Sequence, residues 1–172
     1  KVITNLAELK GLKVRVQGAP IWSRTFTAAG MSPTVIAYNE VYNAIQNGVI
    51  QAGENEAAGI EAMKFFEVAP NIILTQHAVS IRPICFSVKI FKTLPKELQD
   101  AIVKAGKEAG DFGRGLESSE DGAKLEALEK AGRLKRIPFA DRAAMAKLVE
   151  PVMDAYAKEI GASEIAAKIK AA

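Results

Sequence analysis

Cysteine is almost missing from this chain: Cys85 stands alone among 172 residues. That excludes a disulfide scaffold and leaves the redox compartment open. Histidine is as scarce, with His77 the only one. No other His, Cys or acidic residue lies at ligand spacing around it, which argues against a metal site. No apolar run approaches the ~20 residues that a bilayer span requires. Neither sign of charge prevails: 23 basic and 20 acidic side chains leave a net charge of +3. Spread along the chain, that excess is weak support for nucleic-acid binding. With 49% apolar residues, hydrophobicity is too high and net charge too low for intrinsic disorder. The chain also lacks a Gly-x-Ser-x-Gly elbow, a Gly-x-Gly-x-x-Gly turn after a strand and a phosphate-binding loop.

The remainder is the composition of an ordinary globular protein, long enough for one domain or two small lobes. Residue 1 is Lys, and no charged-then-apolar leader follows. The expectation is a removed signal peptide or an internal piece of a longer chain.

Punctuation by Gly and Pro organises the first 70 residues. Thr4-Asn5 opens a short helical stretch that ends at Gly11, a residue suited to a left-handed helix terminus. Leu12 to Val16 alternates apolar and polar side chains and reads as a strand. Pro20 suits the first turn of a helix through Ala29, stopped by Gly30. Pro33 to Ala37 reads as a second strand. Asn39 is placed to cap a helix through Gln46, and Asn47-Gly48 ends it. Val49 to Ala52 reads as a third strand, and Glu56 to Phe66 as a further helix. This β-α-β-α-β-α order predicts an α/β fold with parallel strands and helical crossovers.

Two more strands are expected over Asn71 to His77 and Ile81 to Val88, the second an edge or bulged strand because of Pro83. A long helix follows from Pro95 to Lys130. Gly106, Gly110, Gly113 and Gly115 crowd its middle and predict a bend or very tight packing. Leu134 to Ile137 reads as a strand. A helix over 141–160 carries Pro151 as a kink, and Ser163 caps a last helix through Lys170.

Few residues carry chemistry on their own account. His77 at a strand end and Cys85 in an apolar strand both read as structural residues. Arg15 lies near the carboxyl end of a strand, just before Gly18-Ala19-Pro20. Ligands of open α/β sheets bind there, and an arginine grips a carboxylate through two parallel hydrogen bonds. Spacing alone nevertheless favours a surface arginine on the polar face of the strand.

A larger pattern shifts that balance. Leu12-Lys13-Val14-Arg15-Val16, Ala29-Gly30-Met31-Ser32-Pro33, Glu40-Val41-Tyr42-Asn43-Ala44-Ile45-Gln46-Asn47-Gly48-Val49-Ile50 and Gly53-Glu54-Asn55 occur in this order. Together with His77 and Leu94-Pro95-Lys96-Glu97-Leu98-Gln99, they resemble the DctP-type substrate-binding proteins of TRAP (tripartite ATP-independent periplasmic) transporters. The resemblance covers the whole chain and is densest over residues 11 to 99. It implies a periplasmic binding protein-like fold of two α/β lobes, of which this chain is the C-terminal half. Residues 1–80 and 121–172 would form the second lobe. Residues 81–120, with a crossing strand and the long helix, would reach into a first lobe that is otherwise absent.

By the same resemblance Arg15 binds the ligand carboxylate, Asn55 hydrogen-bonds the ligand, and Tyr38 packs a ring against it. Gly18 and Ala19 would shape the cleft. Trp22 is either a substrate-specific wall or a core residue of the first helix. The chain departs from the pattern beside the pocket. Ala52-Gly53 stands where many members carry Asp-Gly, and Glu56 stands where they carry Pro.

The function implied is that of an extracytoplasmic, periplasmic receptor without catalysis or cofactor. It would capture a small organic acid for the membrane subunits of a TRAP transporter, with the N-terminal half of the same protein as partner and no nucleic acid involved. The alternatives are a small α/β enzyme that holds an anionic substrate through Arg15, and an inactive fragment with an incomplete cleft.

Overall fold

The computed structural model describes residues 1–171, with Ser118 described by its backbone alone. Asn5 accepts the Glu8 N–H and starts a 3₁₀ turn over Leu6–Leu9. Gly11 then turns the chain with φ +72° into β1 (Lys13–Val16). Pro20, whose missing N–H costs nothing in a first turn, begins α1 (Pro20–Ala28). Gly30 ends that helix with φ +86°, and the Gly11 N–H donates to its carbonyl at 2.8 Å. The chain returns as β2 (Ser32–Val35), parallel to β1, with Arg15 opposite Thr34. Then come α2 (Val41–Gln46) and β3 (Ala52–Gly53), which lies parallel on the other side of β1 with Gly53 opposite Arg15. The sheet order is therefore β2-β1-β3, and its pairing is parallel, as the alternation of elements predicts.

The second half adds α3 (Ala57–Ala62), β4 (Asn71–Leu74), α4 (Val88–Phe91), α5 (Lys96–Lys130), β5 (Lys135–Pro138), α6 (Arg142–Glu159) and α7 (Ser163–Ala171). Strands β4 and β5 form a separate parallel pair, joined through the long α5. No helix of the described residues is long and apolar enough to cross a membrane.

Burial joins elements far apart in sequence. Ile3, Leu9, Leu12 and Ala29 pack with Phe139 and Met145, which brings the start of α6 against the opening turn. Asp141 reinforces this by accepting the Leu6 N–H at 2.9 Å. Ala57, Ile60 and Phe66 pack with Leu125 and Leu134, which seats α3 on the C-terminal part of α5. Val14 and Val16 of β1 are covered by Phe26, and burying each such side chain contributes roughly 1.5–3 kcal/mol. On the outer side, Arg24 of α1 meets Glu159 of α6 at 2.5 Å, with its guanidinium over the Tyr156 ring.

Several expectations are corrected. Asn39 does not cap α2; a 3₁₀ turn over Tyr38–Glu40 leads into the helix without any side-chain cap. The third strand is only Ala52–Gly53, because the Val49 and Ile50 N–H groups close on the Ala44 carbonyl at the end of α2. The helix over Glu56 to Phe66 breaks at Lys64, which takes φ +54°. That break turns Phe65 and Phe66 into two different core clusters.

No strand forms over Ile81 to Val88. The stretch is irregular up to Ser87, which caps α4 by accepting the Ile90 N–H. Pro83 lacks a donor there, and no neighbouring strand is available among the described residues. Tight packing at the four clustered glycines of α5 is also absent. A Cβ at Gly106, Gly110, Gly113 or Gly115 would meet nothing within 4 Å, and the helix runs through them unbroken. Its packing partners, α3 and β5, meet it elsewhere.

Candidate ligand-binding site

Arg15 is buried, with 7% of its surface exposed. The polar-face reading of β1 therefore fails: Val14, Arg15 and Val16 are all covered, because a central strand of a parallel sheet is enclosed on both faces. The Arg15 Nε donates to the Ile36 carbonyl at 2.9 Å, just past the end of β2. Its guanidinium carbon lies 5.6 Å from the centre of the Tyr38 ring. No carboxylate pairs with it among the described residues. No buried side-chain nitrogen lacks a partner there either, so its terminal nitrogens keep contact with solvent. A guanidinium held by one nitrogen and a ring face, with its other end open, is set to receive an anion.

Tyr38 and Asn55 complete this group. The Tyr38 ring stands edge-on to Phe65 at 5.9 Å between centroids, which fixes it from behind. The Asn55 Nδ2 donates to the Tyr38 hydroxyl at 3.0 Å. The Asn55 Oδ1 accepts the Glu56 N–H, also at 3.0 Å. Arg15, Tyr38 and Asn55 thus meet at the carboxyl ends of β1, β2 and β3, where the sheet topology opens a crevice.

Gly18 and Ala19 lie in the turn after β1. Around Gly18 a Cβ would meet nothing within 4 Å, and Ala19 is the exposed residue that precedes α1. Of the two roles expected of Trp22, the contacts show the core one. It packs on the Val14–Val16–Phe26 cluster, with its ring 6.4 Å from Phe26 and 6.2 Å from His77.

Sequence reasoning missed a second polar group beside the first. His77 has an open backbone, but its side chain is only 19% exposed. The Thr75 hydroxyl lies 2.8 Å from its Nδ1, and the Glu54 carboxylate lies 3.9 Å from its Nε2. Gln17 approaches the other Glu54 oxygen at 3.5 Å. Burial holds the His77 pKa below its ordinary value. Burial likewise pushes the Glu54 carboxyl up, against the opposing pull of the Gln17 amide and the Arg15 charge. For both groups desolvation prevails, so burial favours the neutral form of each. The one signal available in sequence was Glu54 beside Asn55. Nothing local tied His77 to either.

The family model for bacterial extracellular solute-binding protein, family 7 (DctP) matches residues 1–159. A solute-binding protein of Sulfitobacter sp. strain NAS-14.1 is 52% identical over 169 residues, covering 98% of this chain and 51% of that protein. The crystal structure of a TRAP periplasmic solute-binding protein from Sulfitobacter sp. NAS-14.1 with bound α-D-taluronate superposes with a TM-score of 0.93 at 52% identity, covering 95% of this chain and 53% of that one. A TRAP periplasmic solute-binding protein from Roseobacter denitrificans with bound β-D-glucuronate superposes with a TM-score of 0.85 at 31% identity, covering 92% and 52%. The chain belongs to the DctP family of bacterial extracellular solute-binding proteins. It spans about half the length of the curated relatives it matches.

Proposed function

We propose that this chain supplies the carboxylate-gripping lobe of a receptor for a small sugar acid. The observation that carries the reading is Arg15: a buried arginine with no acidic partner among the described residues, flanked by Tyr38 and Asn55 at the mouth of a parallel sheet. A carboxylate entering this site loses hydration. The Arg15 fork replaces that hydration with charged hydrogen bonds, each contributing roughly 1.5–3 kcal/mol. Glu54, Gln17, His77 and Trp22 offer polar and apolar surfaces for the rest of the molecule, with Gly18 and Ala19 forming the floor of the turn. The hexuronates in the matched relatives make a sugar acid the favoured class.

The receptor works outside the cytoplasm by reversible capture, without turnover. It hands its ligand to TRAP membrane subunits through the outer faces of the lobes. The cleft is completed by the N-terminal half of the protein, which packs on residues 81–120, while residues 1–80 and 121–172 form the lobe that holds Arg15. Large apolar side chains on that crossing segment support this division: Ile81 is 88% and Phe112 72% exposed.

Calorimetric titration with D-glucuronate tests the reading. Saturable binding is expected, with the sugar recovered unchanged, and Arg15→Lys is expected to weaken it well over tenfold because the ammonium keeps the charge but loses the fork. Equal affinity in Arg15→Lys would refute the assignment. Conversion of the sugar would favour an enzyme. Binding seen only after the N-terminal half is added would identify the cleft as shared.

A further inference from the structure

The irregular stretch from Ala78 to Ser87 is fastened to the rest of the chain at one polar point. Among the described residues, Arg82 is its only member that hydrogen-bonds beyond its near neighbours. The Arg82 guanidinium divides between two elements. One terminal nitrogen donates to Glu56, in the loop before α3, and the other donates to Glu117, within α5.

Four residues further along α5, and so on the same face, the Asp121 Oδ1 accepts the Ala57 N–H at 3.1 Å. This satisfies one of the unpaired donors that open α3. Glu56 occupies the cap position of α3 yet makes no capping bond; its carboxylate is committed to Arg82. Glu56 is also the residue at which this chain departs from the Pro of the resemblance.

The loop that carries Asn55 is therefore tied to α5 twice, through Glu56–Arg82–Glu117 and through Ala57–Asp121. The Glu56 N–H in turn donates to the Asn55 Oδ1, so a displacement of Glu56 turns the Asn55 amide and its bond to Tyr38. We infer that Arg82 is a positioning residue for the ligand site, which sets the direction of the Asn55 amide by holding Glu56 against α5. The inference rests on the reading of Asn55 as a ligand group. A single exposed ion pair contributes little. One planar fork shared by two carboxylates, however, links three segments in a fixed geometry.

Two measurements on the ¹⁵N-labelled protein decide it. In Arg82→Gln, the side-chain amide resonances of Asn55 are expected to move, and hydrogen exchange at the Ala57 amide to quicken about threefold to fivefold, the scale of one weak ion-pair network. Calorimetry is expected to show D-glucuronate binding weakened by a similar factor. Arg82→Lys, which keeps a cation between the two carboxylates, is expected to restore most of both; a role limited to holding down residues 78–87 would leave Asn55 unmoved throughout.

Unmoved Asn55 resonances in Arg82→Gln, with glucuronate binding intact, would overturn the inference and leave the receptor reading standing. Moved resonances in a protein that binds no glucuronate, with or without the N-terminal half, would support the positioning role and refute the receptor reading. If circular dichroism shows Arg82→Gln to be unfolded, Glu117→Gln removes one arm of the fork from the α5 side and is read in the same way.

Discussion

Gly59 and Asn55 fit together because one of them has no side chain. A Cβ on Gly59 would lie 2.3 Å from the Asn55 Oδ1 and 2.9 Å from its Nδ2. Gly59 sits inside α3 with ordinary helical backbone, where glycine is about 1 kcal/mol less favourable than alanine. The penalty is accepted because the Asn55 amide must fold back over the first turn of the helix to reach Glu56 and Tyr38 at once.

Gly59→Ala is therefore expected to act against helix propensity. The new methyl forces the Asn55 amide away and breaks its bonds to Glu56 and Tyr38. Thermal unfolding is expected to show a loss of roughly 1–2 kcal/mol, the cost of disrupting paired polar groups, and sugar-acid affinity is expected to fall with it. A rise in stability, as at an open helical glycine, would show that Asn55 has room to move.

Tyr38 separates two contributions. Tyr38→Phe keeps the ring near Arg15 and against Phe65 but removes the acceptor of the Asn55 amide. The expected stability loss is about 0.5–1.5 kcal/mol. Tyr38→Ala removes the ring as well and is expected to cost more and to loosen Arg15. Equal effects of the two variants in chemical denaturation would mean that only the hydroxyl matters.

His77 and Glu54 give opposite pH dependences. Burial lowers the His77 pKa, so its contribution to stability is present above its unfolded value near 6.5 and is lost as pH falls through the lower folded value. Burial raises the Glu54 pKa, so its contribution is present below its unfolded value near 4.5 and is lost as pH rises through the higher folded value. Urea midpoints measured from pH 7 to pH 5 are expected to drop less steeply in His77→Gln than in the parent. From pH 5 to pH 7, Glu54→Gln is expected to gain stability relative to the parent. Parallel curves for parent and His77→Gln would show that the imidazole titrates as it does in the unfolded chain.

The irregular stretch before α4, together with α5, exposes Ile81, Ile84, Phe86, Leu98, Val103 and Phe112. Apolar surface of that extent drives association. Light scattering is expected to show that the 172-residue chain self-associates, and Ile81→Ser with Phe112→Ser to reduce it. Adding the N-terminal half of the protein is expected to suppress it without any substitution. A chain that stays monomeric at high concentration would contradict the proposed packing.

Much of the fold follows from local chemistry. Gly11, Gly30, Gly48 and Gly132 each take positive φ where a turn or helix end was expected, because few other residues tolerate that backbone. Pro20 starts α1, and the short alternation of strands and helices leaves parallel pairing as the accessible topology. Arg15, Tyr38 and Asn55 were named from their resemblance to a family pattern and do come together. Alternation alone had placed Arg15 on the surface, since the period of a strand cannot report that both of its faces are covered.

The amino-acid sequence by itself thus determined the order of strands and helices as far as Leu74, the turns and the three residues at the mouth of the sheet, since these depend on backbone preference and on a motif spread along the chain. Tertiary structure alone decided the break at Lys64, the irregular path of Ile81 to Ser87, the pairing of His77 with Glu54 and the Glu56–Arg82–Glu117 bridge. Each depends on groups at least 23 residues apart that only packing brings within reach, or, for Lys64 and the 81–87 path, on which core or strand partner is there to receive the chain. The open face at Gly106 to Gly115 belongs with them: a glycine states that space is permitted, and only the fold decides whether anything fills it.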